Sequence, residues 1–182
     1  VTTANDGNGR DADPSDPGDW CGTDPSSWHG THTAGTIGAK SNNGLGVAGI
    51  NWNSKILPVR VLGKCGGTTS DIVDGLRWAA GLAVSGVPAN SNPAKVANLS
   101  LGSNSPTSCS TTWQNGITDV TAAGMVVVVA AGNNSADASG YPPANCNGVI
   151  TVAATNKSGS LAYYSNFGST VEISAPGGAQ GF

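Results

Sequence analysis

The run Ser26-Ser27-Trp28-His29-Gly30-Thr31-His32-Thr33-Ala34-Gly35-Thr36 holds both histidines of the chain, framed by hydroxyls and two glycines and by no charged side chain. Glycine inside a helix costs about 1 kcal/mol relative to alanine, so two of them need a packing or a functional reason. Ser26 and Ser27 are good helix caps, which predicts a short, glycine-rich helix opening at His29. There the positive end of the helix dipole opposes protonation of an imidazole, and a neutral histidine is a ready general base near pH 7. A zinc-protease reading fails: it needs histidines four apart with a glutamate between them, whereas His29 and His32 enclose Gly30-Thr31. Two histidines satisfied within a core are the plainer use of the same residues.

A second set of polar groups closes the apolar run Met125–Ala131, in Gly132-Asn133-Asn134. An asparagine amide at the carboxyl end of a central strand is placed to stabilise an oxyanion; an ordinary Asn/Gly turn is the alternative. Gly44-Leu45-Gly46-Val47-Ala48-Gly49 matches the spacing of a dinucleotide-binding loop. That motif follows a strand and opens a helix, and here a helix precedes and a strand follows, so nucleotide binding is set aside.

The elements that must position these groups alternate. After the His29 helix, residues 55–62 read as a strand, with Pro58 hinting at a sheet edge. Ser70 caps a helix running to Ser85, with Ile72, Leu76, Ala79 and Ala83 on one face. Val96–Leu101 is a strand; Trp113, Ile117 and Val120 mark a helix ended by Gly124. Met125–Ala131, rich in β-branched residues, suits a central parallel strand, with further strands at Val149–Ala154 and Val171–Ala175. The class is α/β: an open, mostly parallel sheet with helices on both faces, where sites gather at the carboxyl ends of strands.

A chain of 182 residues suits one domain. Its net charge of −3 argues against nucleic acid as a partner, and no apolar run approaches the roughly 18 residues of a membrane span. No signal peptide opens it, so a secreted protein would appear here in mature form or as a piece. Residues 1–25 form an acidic loop in which Asp6, Asp11, Asp13, Asp16, Asp19 and Asp24 face Arg10 alone. Crowded carboxylates repel unless a cation sits among them, so Asn5–Asp19 reads as a Ca²⁺ loop, with Asp6, Asp11, Asp13 and Asp16 as ligands. It is no EF-hand, because Arg10 falls at a ligand position and no glutamate closes the loop. A merely solvated loop is the alternative. Cys21, Cys65, Cys109 and Cys146 are too dispersed for zinc and fit two disulfides of an oxidising compartment, in any of three pairings.

Together these pieces resemble the subtilisin-like serine proteases, the subtilases, over about residues 26–178. His29-Gly30-Thr31-His32 with Ala34-Gly35-Thr36 resembles the family's histidine motif, whose first histidine is the catalytic base. Asn43–Gly49 resembles its calcium-loop segment, which adds Asn43, Leu45 and Val47 as candidate ligands. Val96–Gly102 resembles the strand whose Ser-Leu-Gly backbone holds extended substrate, and Val127–Asn133 the oxyanion motif, with Asn133 as donor. Ala175-Pro176-Gly177 resembles a segment some way before the nucleophile. The spread of the cysteines resembles secreted bacterial members and implies Cys21–Cys65 and Cys109–Cys146.

The resemblance implies a secreted endopeptidase using a Ser-His-Asp mechanism, with Ca²⁺ as cofactor and polypeptides as substrates. Substrate backbone would pair with two strands, one around Cys65-Gly66-Gly67 and one at Ser100-Leu101-Gly102. Ala130, Ala131, Gly132 and Gly140 would leave room for a large apolar side chain, with Leu62 and Ile72 lining neighbouring subsites. The family's D-T/S-G motif for the catalytic aspartate and its G-T-S-M-A motif for the nucleophile are both missing from these residues. The chain therefore reads as the central segment of a catalytic domain, inactive alone and partnered by the remaining fragments of that domain. A non-catalytic, calcium-dependent peptide-binding module is the alternative. Either way the catalytic reading needs His29 and Asn133 to meet at one cleft.

Overall fold

The computed structural model describes residues 4–7, 9–11 and 13–179. They fall into two compact units, one of Val1–Gly75 with Val84–Pro88, the other of Leu76–Ala83 with Ala89–Phe182.

The second unit carries a four-stranded parallel sheet in sequential order: β1 (Val96–Leu99), β2 (Val126–Ala130), β3 (Val149–Thr155) and β4 (Ile173–Pro176). Parallel neighbours need long crossovers, and helix α3 (Thr111–Ala122) supplies the one between β1 and β2, packing on β2. Ser110 caps it, its side chain accepting the Trp113 N–H at 3.3 Å. Gly124, at φ 86°, closes it: the Gly124 and Met125 N–H groups return to the carbonyls of Thr121 and Val120, a paired C-terminal bond pattern that needs a left-handed residue. One sheet face is dry, with Leu99, Val127, Val129, Val149, Thr151 and Ala153 buried; the other carries the exposed Val96, Val126, Ile150 and Ile173. The α/β class with a parallel sheet is as expected. Cys109–Cys146 closes this unit covalently.

The first unit holds α1 (His29–Gly38) and the Cys21–Cys65 disulfide. Both disulfides are those the family resemblance implied. None of the residues of α1 is buried, and its last carbonyls accept from the next loop: Ile50 N–H to Thr36 O at 3.0 Å and Asn51 N–H to Ile37 O at 2.9 Å. A Cβ at Gly49 would stand 2.4 Å from the Ala39 nitrogen, so the third glycine of the apparent nucleotide motif serves close backbone approach to a helix end. The expected strand over residues 55–62 is not formed among the described residues: an extended segment becomes a strand only with a ladder partner, and no ladder is made here.

Helix α2 (Thr69–Ala79) is shorter than the sequence suggested. Thr68, not Ser70, caps it, accepting the Asp71 N–H at 3.2 Å and donating to the Asp71 carboxylate at 2.7 Å. It stops before Ser85 because Gly81 takes φ 85°, with Gly81 N–H bonded to Trp78 O and Leu82 N–H to Arg77 O. Ile72 is buried in this helix.

Candidate functional site

The first candidate residue, His29, opens α1 where the sequence placed it, but the start is built differently from the expected serine cap. Trp28 occupies the cap position at φ 52° with no side-chain cap bond. One residue earlier, the Ser27 hydroxyl accepts the His29 N–H at 3.3 Å. Asp19 holds Ser27 in turn, its carboxylate accepting the Ser27 N–H at 2.7 Å and the Ser27 hydroxyl at 2.6 Å. Those two bonds, the hydroxyl's first, hold the Asp19 carboxyl below its ordinary value. His29 and His32 are both exposed.

Of the first unit's candidate substrate positions, Leu62 is partly exposed. The stretch after it is a tight turn rather than an extended edge. Gly63 and Gly66 exchange backbone hydrogen bonds at 2.8 and 3.0 Å, with Cys65 at φ 62° and Gly66 at φ 111°. Gly66 therefore has its own N–H and C=O occupied, which corrects the expectation of a strand there. Gly67 lies close under the chain: a Cβ there would meet Val61 O at 2.3 Å.

The second unit holds Asn133 and the other candidate positions. Strands β1 and β2 run parallel with Leu99 opposite Val129, so Ser100-Leu101-Gly102 leave the sheet beside Ala130-Ala131-Gly132 at its carboxyl edge. Ala131 is buried against Ala138 and Ala153, while Asn133 is exposed just beyond. Gly132 takes φ 110°, a conformation that side-chain-bearing residues rarely adopt. Gly140 ends a 3₁₀ turn, Ala138–Gly140, and accepts the Thr107 N–H at 2.7 Å; Pro142 O accepts the Ser103 N–H at 2.9 Å. These bonds hold the 102–107 segment alongside residues 140–142. An exposed carboxamide beyond the end of β2, next to backbone from the neighbouring strand, can donate to a carbonyl oxygen laid across that edge.

The sequence reading missed Asn166. It is fully buried, and its Oδ1 accepts from the backbone of Asn134 at 2.8 Å and Ala136 at 3.2 Å, while its Nδ2 donates to Ala131 O at 2.9 Å. In the sequence it is one asparagine among turn residues, and no local pattern separates it from the rest.

Asp6, Asp11, Asp13 and Asp16 do come together, lining one hollow with Ser15 and Pro17. Asn8 and Ala12 of the same loop lie outside the described residues. Asp11 accepts from Asp13 N–H, Asp13 from Ser15 N–H and Asp16 from Gly18 N–H. The bonds from Ser15 hold the Asp13 carboxyl below its ordinary value. The missed partner is Arg60, whose guanidinium reaches Asp16 at 3.1 Å and Asp6 at 3.4 Å; Arg10 meanwhile pairs with Asp71 and Asp74. Among the described residues no three His, Cys, Asp or Glu side chains are close enough to hold a metal ion as they stand. The chemistry of the donors nonetheless suits a hard cation. Asn43, Leu45 and Val47 are exposed, with the Asn43 carboxamide accepting the Leu45 N–H at 3.1 Å. No described helix is long and apolar enough to cross a membrane.

Comparison with known proteins gives this arrangement a context. The model of the subtilase family, peptidase S8, matches residues 1–181. An extracellular protease of Xanthomonas campestris pv. campestris is 55% identical over 186 residues, 97% of this chain and 32% of the relative. An extracellular basic protease of Dichelobacter nodosus is 49% identical over 187 residues, covering 96% and 31%. Among solved structures, a protease from Pseudoalteromonas arctica superposes with a TM-score of 0.94 at 57% identity, over 100% of this chain and 55% of that one. A cold-adapted subtilisin-like serine proteinase superposes at 0.65 with 37% identity, over 82% and 48%. The chain spans about a third of the length of these two curated relatives.

Proposed function

The chain belongs to the subtilase family, and from that premise we propose that it is the central segment of a secreted serine endopeptidase, contributing the histidine base and the side-chain oxyanion donor. The observation that carries the reading is the exposed Asn133 beyond the carboxyl end of β2, beside the backbone that leaves β1. The names of the two extracellular relatives support secretion, as do the two disulfides.

In the complete catalytic domain His29 takes the proton of the nucleophilic serine as it attacks the scissile carbonyl. It then returns that proton to the leaving amine, while an aspartate orients the ring. The Asn133 carboxamide donates to the carbonyl oxygen as it becomes an anion. Ser100-Leu101-Gly102 hold the substrate backbone by strand addition, and the small Ala130, Ala131, Gly132 and Gly140 admit a large apolar P1 side chain. Serine and aspartate come from parts of the domain outside these residues, so the 182-residue chain alone is inactive and works with those parts as its partners. Ca²⁺ is assigned to the Asp6, Asp11, Asp13 and Asp16 loop, and to Asn43, Leu45 and Val47, in a structural role only.

The test is fluorophosphonate labelling and peptide hydrolysis by the full-length protein that contains this chain, against the chain alone. Full-length protein should label and cleave, and the chain alone should do neither. Asn133→Ala should lower kcat by about 10²–10³ with KM little changed, a magnitude carried over from subtilisin, a member of the same family. A full-length protein that binds peptides but takes no label is a binding module, and the catalytic reading falls.

A further inference from the structure

The loop that carries Asn133 is held at almost every residue except Asn133 itself. Ala131 O accepts from Asn166 Nδ2 at 2.9 Å, and Gly132 O from the Asn166 N–H at 2.9 Å. The N–H groups of Asn134 and Ala136 both donate to Asn166 Oδ1. The Ser135 N–H donates to Tyr164 O at 3.0 Å and its hydroxyl to Tyr163 O, while Phe167 N–H reaches Ala136 O at 3.0 Å. One carboxamide thus grips the chain on both sides of residue 133.

We propose that Asn166 is the positioning residue for the Asn133 carboxamide, setting where the oxyanion donor stands without touching substrate itself. This deepens the role given to Asn133 above and rests on it. Preorganisation is what makes such a donor effective: it acts only if it already occupies the transition-state position, without reorganising as the charge forms. Three features give Asn166 that capacity. It is fully buried, so its bonds do not exchange with water. Its neighbour Ser165 fixes it to the sheet, accepting the Ala154 N–H at 2.9 Å from β3 and donating to Asn166 O at 2.9 Å. The joint is also tight: a Cβ at Gly132 would stand 2.4 Å from Asn166 Nδ2, so loop and clamp fit only as glycine against asparagine.

The test is a double-mutant cycle in the full-length enzyme, with kcat and KM measured separately on a peptide substrate. Asn166→Ala is expected to lower kcat at least ten-fold with KM within about three-fold, because substrate binding does not need the oxyanion donor whereas the transition state does. In an Asn133→Ala background the same change should lower kcat by less than three-fold, since a donor already removed cannot be misplaced. Asn166→Asp, which keeps the size and the Oδ1 acceptor but faces Ala131 O with an oxygen, is the second variant should Asn166→Ala not fold. It is expected to lose at least three-fold in kcat, again masked by Asn133→Ala. An undiminished kcat in a folded Asn166 variant, or an equal loss in both backgrounds, overturns the proposal. If Asn133→Ala alone leaves kcat unchanged, the oxyanion role of Asn133 is what fails, and the clamp has nothing to position.

Discussion

The two residues to which we assign chemistry are held in place by opposite means. Asn133 follows a strand with one buried face, and a fully buried side chain grips the loop around it. His29 opens a helix with no buried residue, and its start is tied by a chain of side-chain bonds through Ser27 and Asp19. The contrast extends to the units themselves. In the first, the described buried residues other than glycine are Ile72 and Val73, whereas the second buries one face of its sheet and, in α3, Trp113, Gly116, Ile117 and Val120. Apolar burial supplies roughly 25 cal/mol per Å², so the first unit must rely on cross-links and polar ties where the second relies on packing.

The largest effect that should separate them is loss of the Cys21–Cys65 disulfide. With a sequence separation of 44, the chain-entropy estimate for such a cross-link is about 4 kcal/mol. For a unit with so little core this is decisive. The Cys21→Ser/Cys65→Ser chain should lose amide-exchange protection throughout residues 13–75 while β2 and β3 stay protected. Equal loss in both units would break the contrast.

A smaller effect follows from packing. Ile117 in α3 is fully buried, whereas Ile37 in α1 is 36% exposed. Ile117→Ala should destabilise the second unit by about 3 kcal/mol, the usual range for emptying a packed site. Ile37→Ala should change stability by less than about 0.5 kcal/mol. Denaturant titration followed by site-resolved exchange measures both; an Ile37 variant as damaging as the Ile117 variant would show that α1 is better packed than its exposure indicates.

The same contrast explains what could be read from the chain beforehand. Val126–Ala130 and Val149–Thr155 were legible because a parallel strand writes itself as a β-branched run, and α3 because Trp113, Ile117 and Val120 keep a helical spacing that Gly124 ends. The end of α2 at Gly81 was equally marked, but the apolar spacing through Ala83 outweighed it. Residues 55–62 carry strand-forming side chains and make no strand, since strand formation depends on a partner that composition does not reveal. Asn166 and Arg60 were illegible for another reason. Each acts across a long sequence separation, Asn166 on Ala131 and Arg60 on Asp16, and nothing in a local window distinguishes a clamp from a turn residue or a buttress from a surface cation.

The smallest expected effect sharpens the contrast on the histidine side, because a polar tie responds to pH in a way packing does not. The Asp19 carboxyl sits below its ordinary value because the Ser27 hydroxyl and N–H favour its charged form. Its contribution to the start of α1 is therefore fully present above the ordinary carboxylate pKa of about 4 and is lost as pH falls through the lower folded value. The site is largely open to solvent, so the stabilisation is only a few tenths of a kcal/mol. Exchange protection of the Ser27 and His29 amides should accordingly decline in acid below about pH 4, while that of Asn134 and Ala136, bonded to the uncharged Asn166, should not. Asp19→Asn should lower protection of the first pair at neutral pH and abolish its acid dependence. Protection of Ser27 that is unchanged by the substitution would mean that α1 is anchored by something other than this carboxylate, and the opposition between a polar-tied histidine and a packed asparagine would no longer stand.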